Sequence, residues 1–77
     1  MILYSTLGCH LCEEAKAIIL PVLQERQIPL QELDIAEDDQ LMELYGVRIP
    51  VVKNPVNHRE IGWPFDVQAF TNWLDTV

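Results

Sequence analysis

Apolar and polar positions repeat at two different periods along the chain, and the changes of period mark out seven elements. The opening run Ile2-Leu3-Tyr4 reads as a short strand, ended by Gly8. Apolar side chains then recur three and four residues apart at Leu11, Ala15, Ile18, Ile19 and Val22. That spacing predicts a helix over about residues 10–26 with one face on a core. Pro21 falls inside it. An interior proline removes a backbone hydrogen bond at a cost of about 3 kcal/mol, so a kink is expected there with the helix continuing. Alternation returns over Ile28 to Ile35, where Leu30, Leu33 and Ile35 are the apolar members of a second strand. Asp38 or Asp39 suits the N-cap of a second helix with Leu41, Leu44 and Tyr45 inward, and Gly46 suits its C′ position. Pro50 opens a strand at Val51-Val52, Pro55 and Asn57 form a turn, and His58 to Ile61 returns as the hairpin partner. Asp66 suits the N-cap of a last helix whose Val67, Phe70, Leu74 and Val77 face inward. Tyr4, Tyr45 and Trp73 are read as packing residues.

The order is therefore strand, helix, strand, helix, strand, strand, helix. Two strands joined by a helix are expected to be parallel with a right-handed crossover, and the last two strands form an antiparallel hairpin. A mixed four-stranded α/β sheet follows, with helices available for both faces. There is no internal repeat, low-complexity tract or linker, and 77 residues are expected to make one domain, 1–77. A domain of this size buries only about 60% of its unfolded surface, so the core is narrow.

Charge narrows the partners. Twelve acidic against five basic side chains give a net charge of −7. Phosphate binding runs on clustered Lys and Arg, so nucleic acid and anionic membrane surfaces are not expected partners. Residues 1–39 hold eight of the acids and two bases, a net of −6, while Arg48, Lys53 and Arg59 follow in the other half. No run approaches the roughly 18 apolar residues of a membrane span. The start lacks the basic and apolar segments of a secretory signal, so a cytoplasmic location is expected.

Cys9-His10-Leu11-Cys12 supplies the candidate chemistry. It follows the first strand and opens the first helix. Helix residues three apart share a face, so the two sulfurs can close a disulfide. Cys9 sits where unpaired backbone N–H groups and the macrodipole favour an anion, which lowers a thiol pKa from about 8.5 towards the range of reactive cysteines. Cys9 is then the exposed nucleophile, and Cys12, one turn deeper, the resolving thiol. A protonated His10 would tune the pair by stabilising the Cys9 thiolate, while Glu13 and Glu14 act in the opposite sense. Other readings of the pair stay open. It is half a zinc site, but a full one needs two more ligands and only His10 and His58 remain. An iron–sulfur cluster shared between two chains and an inert disulfide are the others. No metal is expected.

Three local patterns carry a family resemblance. Leu3-Tyr4-Ser5-Thr6 with Gly8-Cys9-His10-Leu11-Cys12 resembles a thioredoxin-fold strand and active-site loop, and Val47-Arg48-Ile49-Pro50-Val51-Val52 resembles the segment bearing the cis-proline. Ile61-Gly62-Trp63-Pro64-Phe65-Asp66 resembles the small bacterial glutaredoxin-like branch. Over its whole length the chain is similar to glutaredoxin-like proteins. This implies a thioredoxin-like three-layer sandwich of order β-α-β-α-β-β-α, a cis Ile49–Pro50 bond, and the backbone of Ile49 free to pair with an extended substrate chain. Substrate contacts are expected at Ile49 and Pro50, and at Arg48 and Asp66 where the chain departs from the family; Trp63 and Phe65 could flank the sulfurs, although aromatics between a hairpin and a final helix are more often core. The departures lie in the same segments. Ser5-Thr6-Leu7-Gly8 has no lysine before Cys9, Arg48-Ile49 stands where glutaredoxins have Thr-Val, and Gly62-Trp63-Pro64-Phe65-Asp66 only loosely matches their Gly-Gly-x-Asp stretch. The groups that hold the carboxylates of glutathione are thus partly missing. Arg48, and the helix N–H groups behind Asp66, are the substitutes on offer. Thioredoxins bury an acid beneath the second cysteine. The first strand here carries none, so the resolving step is expected to lack a dedicated base.

The reading is a monomeric thiol–disulfide oxidoreductase with no bound cofactor. It exchanges with a disulfide-containing protein or glutathione, and either glutathione or a reductase supplies its electrons. The competing reading is a non-catalytic binding module of the same fold.

Overall fold

A computed structural model describes residues 1–76. The elements run β1 (Ile2–Ser5), α1 (His10–Glu25), β2 (Gln31–Asp34), a 3₁₀ turn (Ile35–Glu37), α2 (Asp39–Tyr45), β3 (Val51–Lys53), β4 (Glu60–Gly62) and α3 (Val67–Asp75). The sheet order is β2-β1-β3-β4. β1 and β2 are parallel, and the β1–β3 and β3–β4 pairs are antiparallel. Side chains alternate across the sheet. Leu3 and Val52 pack with Ala15, Ile19, Phe70 and Leu74 under α1 and α3. Tyr4 and Val51 pack with Ile35 and Tyr45 on the α2 side. The result is the thioredoxin-like three-layer sandwich that the family resemblance implies.

Local chemistry explains where the observed boundaries differ from the expected ones. The buried line of α1 is Cys12, Ala15, Ile19 and Leu23, with Ile18 and Val22 only partly covered, and Leu11 is 43% exposed. α1 continues through Pro21, which lies on its exposed side. β2 is shorter than the alternation suggests. Proline at position 29 has no N–H for a ladder, and the Asp34 carboxylate takes the Ala36 N–H at 2.9 Å, turning the chain into the 3₁₀ turn. Asp38 caps α2 by accepting from Gln40 and Leu41, but Leu44 points outward at 61% exposed, so only Tyr45 and in part Leu41 face the core.

Gly46 is not the left-handed C′ residue expected. It is the C-cap of α2 with φ −52°, and glycine is needed because a Cβ there would run into the Met42 carbonyl oxygen. β4 begins two residues late because His58 takes φ +63° in a turn where Asn54 and Asn57 side chains accept from Val56 and Arg59. Asp66 caps α3 through Ala69 N–H at 2.8 Å. Phe70, Trp73 and Leu74 are buried, whereas Val67, in the first turn, is 53% exposed and does not face inward. Val77 lies outside the described residues.

The register places the site. Ser5 lies opposite Asp34, Tyr4 opposite Val51, and Val51 opposite Gly62. The C-terminal ends of β1, β2 and β4 and the N-terminal end of β3 therefore share one edge of the sheet. The segments 6–9, 46–50 and 63–66 all leave from it.

Candidate functional site

The loop after β1 turns on Gly8, at φ +76°, a left-handed conformation that L side chains rarely adopt. The turn closes with Cys9 N–H on the Thr6 carbonyl at 3.3 Å and delivers Cys9 to the N-cap of α1. Cys9 has extended backbone angles there, and its Sγ accepts the Cys12 N–H at 3.1 Å. Its sulfur therefore occupies the position a capping oxygen usually holds, aimed at by a backbone donor and by the positive end of a sixteen-residue helix. Cys9 and Cys12 are joined as a disulfide with Cα atoms 5.2 Å apart. The two sulfurs differ in access: Cys9 is half-buried and Cys12 is 1% exposed.

His10 does not share that enclosure. Its side chain is 86% exposed, and Nε2 lies 4.0 Å from the Glu14 carboxylate one turn on.

The segment before β3 brings the second group of expected residues to the same edge. Ile49–Pro50 is cis, and Pro50 is buried. Trp63–Pro64 is a second cis bond, which the sequence patterns do not announce. The backbone of Ile49 is not free in the manner expected. Its N–H donates to the Tyr45 carbonyl at 3.1 Å, because the chain leaves α2 through a last turn that also uses the Arg48 N–H, at 2.8 Å. The Ile49 N–H is therefore already taken within the chain. The Pro50 carbonyl accepts the Trp63 N–H at 3.1 Å, tying the third loop to the second.

Arg48 is engaged away from the sulfurs. Its Nη2 donates to Glu60 at 3.0 Å, and its guanidinium lies over the Tyr45 ring at 5.2 Å. The Tyr45 hydroxyl donates to the other Glu60 oxygen, and Tyr45 stacks on Tyr4 with centroids 4.3 Å apart. Burial, then the Glu60 hydrogen bond and charge, push the Tyr45 phenol up. Burial alone would raise the Glu60 carboxyl, but the hydrogen bonds from Tyr45 and Arg48 and the Arg48 and Lys53 charges outweigh it, and the net direction is down.

Trp63 and Asp66 border the third loop. Trp63 is half-buried and meets Phe65 edge-on at 5.1 Å, and the buried Phe65 stacks on Phe70 at 5.7 Å. Phe65 is thus core, and Trp63 covers it. A shallow hollow of about 440 Å³ beside them is lined by Pro64, Phe65, Asp66 and Ala69 at the start of α3.

One group at this edge has no counterpart among the expected residues. A cleft of about 290 Å³ flanks the loop after β1, lined in part by Ser5, Thr6, Glu13, Lys16, Glu32 and Asp34. Inside it, Ser5 Oγ donates to Glu32 at 2.8 Å, and Lys16 Nζ lies 3.3 Å from Glu32 and 3.4 Å from Glu13. The hydrogen bond to Glu32, opposed by burial and reinforced by Glu13, raises the Lys16 ammonium above its ordinary value. The sequence carries one signal for this group: Lys16 stands four residues after Cys12 and so on the same helix face. Among the described residues no group of three or more His, Cys, Asp or Glu side chains is arranged to hold a metal ion, and no helix is long and apolar enough to cross a membrane.

Comparison with known proteins agrees with this geometry. The X-ray structure of structural-genomics target protein XcR50 from X. campestris superposes with a TM-score of 0.82 at 36% identity, covering 99% of this chain and 96% of that one. The solution structure of the same target gives 0.79 at 36% identity, with 99% and 92% covered. Among curated proteins, the N-acetyl-S-hydroxy-L-cysteine reductase of Bacillus subtilis (strain 168) is 36% identical over 58 residues, 69% of this chain. The matched region is 58% of that relative's length. The model of the Glutaredoxin-like domain (DUF836) matches residues 1–75, and the chain belongs to that family.

Proposed function

We propose that this protein is a thiol–disulfide oxidoreductase in which Cys9 is the nucleophile and Cys12 the resolving thiol. One observation carries the reading: the half-exposed Cys9 sulfur caps α1 and is bridged to a buried Cys12. In the reduced protein, the Cys12 N–H and the helix terminus stabilise a thiolate at Cys9. That thiolate attacks one sulfur of a substrate disulfide, the other substrate sulfur leaves as a thiolate, and a mixed disulfide remains on Cys9. Cys12 then attacks the Cys9 sulfur, the second substrate thiolate leaves, and the Cys9–Cys12 disulfide forms. Two electrons have passed to the substrate, and an external dithiol reductase or two thiol molecules restore the pair.

The reductase relative widens the substrate class. A small S-hydroxy thiol, condensing with Cys9, gives the same mixed disulfide with loss of water. Charge supports a neutral or basic disulfide over anionic glutathione, because eight of the twelve acids lie in residues 1–39, and Arg48, the cation nearest the cis-proline, is held by Glu60. A reducing compartment such as the cytoplasm suits a protein with two cysteines in this arrangement.

Turnover tests the reading. A small disulfide and a protein disulfide are offered with either glutathione plus glutathione reductase or a thioredoxin reductase system as the electron source. Reduction by at least one system, abolished by Cys9→Ser, is expected. Indifference to both systems is the result a non-catalytic docking module would give.

A further inference from the structure

We propose that Glu60 sets the charge selectivity of the edge that carries Cys9: by holding the guanidinium of Arg48, it withholds that cation from substrates bearing carboxylates. This rests on the redox reading above and makes Glu60 a positioning residue that acts through Arg48.

Sequence and register leave one cation for this role. The loops 6–9, 46–50 and 63–66 leave from one edge of the sheet and together carry one base, Arg48, and one acid, Asp66. Asp66 is occupied in capping α3, where it accepts the Ala69 N–H. The backbone at Arg48 is fixed, since the N–H groups of Arg48 and Ile49 both donate to the Tyr45 carbonyl. Its side chain is 50% exposed, so the guanidinium is the part that can be redirected.

Glu60 decides where that guanidinium points. Gly62 is the β4 residue opposite Val51 at the edge, and Glu60 stands two residues back along β4, opposite Lys53. Two strand residues span about 7 Å. Arg48 Nη2 donates to one Glu60 oxygen at 3.0 Å, so the charge is drawn along β4 and back from the edge. The Tyr45 hydroxyl donates to the other Glu60 oxygen. Tyr45 is buried and stacked on Tyr4, so Glu60 is anchored from the packed side of α2 and does not follow Arg48 outward. Against the effect of burial, the donors Tyr45 and Arg48 and the Lys53 charge hold the Glu60 carboxyl below its ordinary value, and it stays ionised at neutral pH.

The other cations are engaged or distant. Lys16, in the cleft beside the loop after β1, lies between Glu13 and Glu32. Arg26 pairs with Asp75, Arg59 donates to the Thr76 carbonyl, and Lys53 ends β3 away from the edge. A carboxylate arriving with a thiol or disulfide therefore meets the Arg48 charge already offset by Glu60. An ion pair this exposed is a modest interaction, so one substitution is enough to release the cation.

Binding of a non-reactive anion tests this without turnover. S-methylglutathione, which carries two carboxylates and no free thiol, is titrated into the oxidised full chain and followed by chemical-shift changes. Glu60→Gln is expected to tighten binding about three- to tenfold, with the gain shrinking as salt is raised. Glu60→Asp, which keeps the charge, should bind like the parent protein. The gain should disappear when Arg48→Gln is added to Glu60→Gln. Equal affinities for the parent and Glu60→Gln overturn the proposal. A gain that survives in the double variant also overturns it, because the effect would then belong to net charge and not to Arg48. Oxidation of the pre-reduced parent by the neutral bis(2-hydroxyethyl) disulfide is measured in parallel. Its failure would remove the redox reading, while the titration still decides what Glu60 does to Arg48.

Discussion

Glu60 accepts from both the Tyr45 hydroxyl and the Arg48 guanidinium, and this three-residue knot fastens the end of α2 to β4 beside the cis-proline. Its ionisation couples to stability with a definite sign. The folded Glu60 value is depressed, so its contribution is complete above the ordinary glutamate value of about 4.3 and is lost as pH falls through the lower folded value. The Tyr45 phenol is raised, so its contribution is complete below about pH 10 and is lost as pH rises beyond it. Glu60→Gln should therefore cost roughly 1–2 kcal/mol at pH 7, with the gap to the parent protein narrowing in acid below about pH 4. Urea unfolding across a pH series measures this, and an acid limb unchanged by the substitution would refute it. Of this knot the sequence shows only that Arg48 is a cation two residues before a proline. Its partner stands twelve residues away across a turn whose register the alternation over residues 58–61 places two residues early.

Elements were more legible than their ends. The three- and four-residue recurrence locates α1 because that period persists over four turns, and Asp38 and Asp66 announce their helices through side chains that accept N–H groups of the first turn. The alternation overstates the second strand because Ile28 and Leu30 are apolar for packing against the α1–α3 core, not for a ladder position. The inward line of α1 starts one residue later than its apolar spacing suggests: Cys12, buried at 1%, takes the inward place and Leu11 is exposed. Pro21 tests the helix itself. Within α1 it withholds a hydrogen bond from the Ala17 carbonyl, and its exposure leaves no core contact to lose. Pro21→Ala is expected to raise stability by about 1–2 kcal/mol after the entropy gained by the unfolded chain is deducted. Equal or lower stability in thermal melts would show that the helix needs the proline.

At the scale of the whole molecule, the register does what no single element does. It gathers the loop after β1, the cis-proline segment and the loop before α3 along one edge, with the reachable sulfur among them. The order of elements made this edge legible from the sequence, because a helix crossover followed by a hairpin leaves few ways to close the sheet. The cleft of Ser5, Lys16 and Glu32 was not legible as a unit. Its members come from three elements, β1, α1 and β2, so no single stretch of sequence displays them together. The charge asymmetry also takes a more definite form in three dimensions. Glu13, Glu32 and Asp34 line one cleft beside the loop after β1, with Lys16 as its only cation, and Arg48 is paired with Glu60. The central claim remains covalent chemistry at Cys9, and intact mass after incubation with a disulfide substrate tests it most directly. Cys12→Ser should accumulate a one-to-one adduct on Cys9 that a reductant releases, and Cys9→Ser should accumulate none. No adduct on Cys12→Ser, or equal adducts on both variants, would contradict the account.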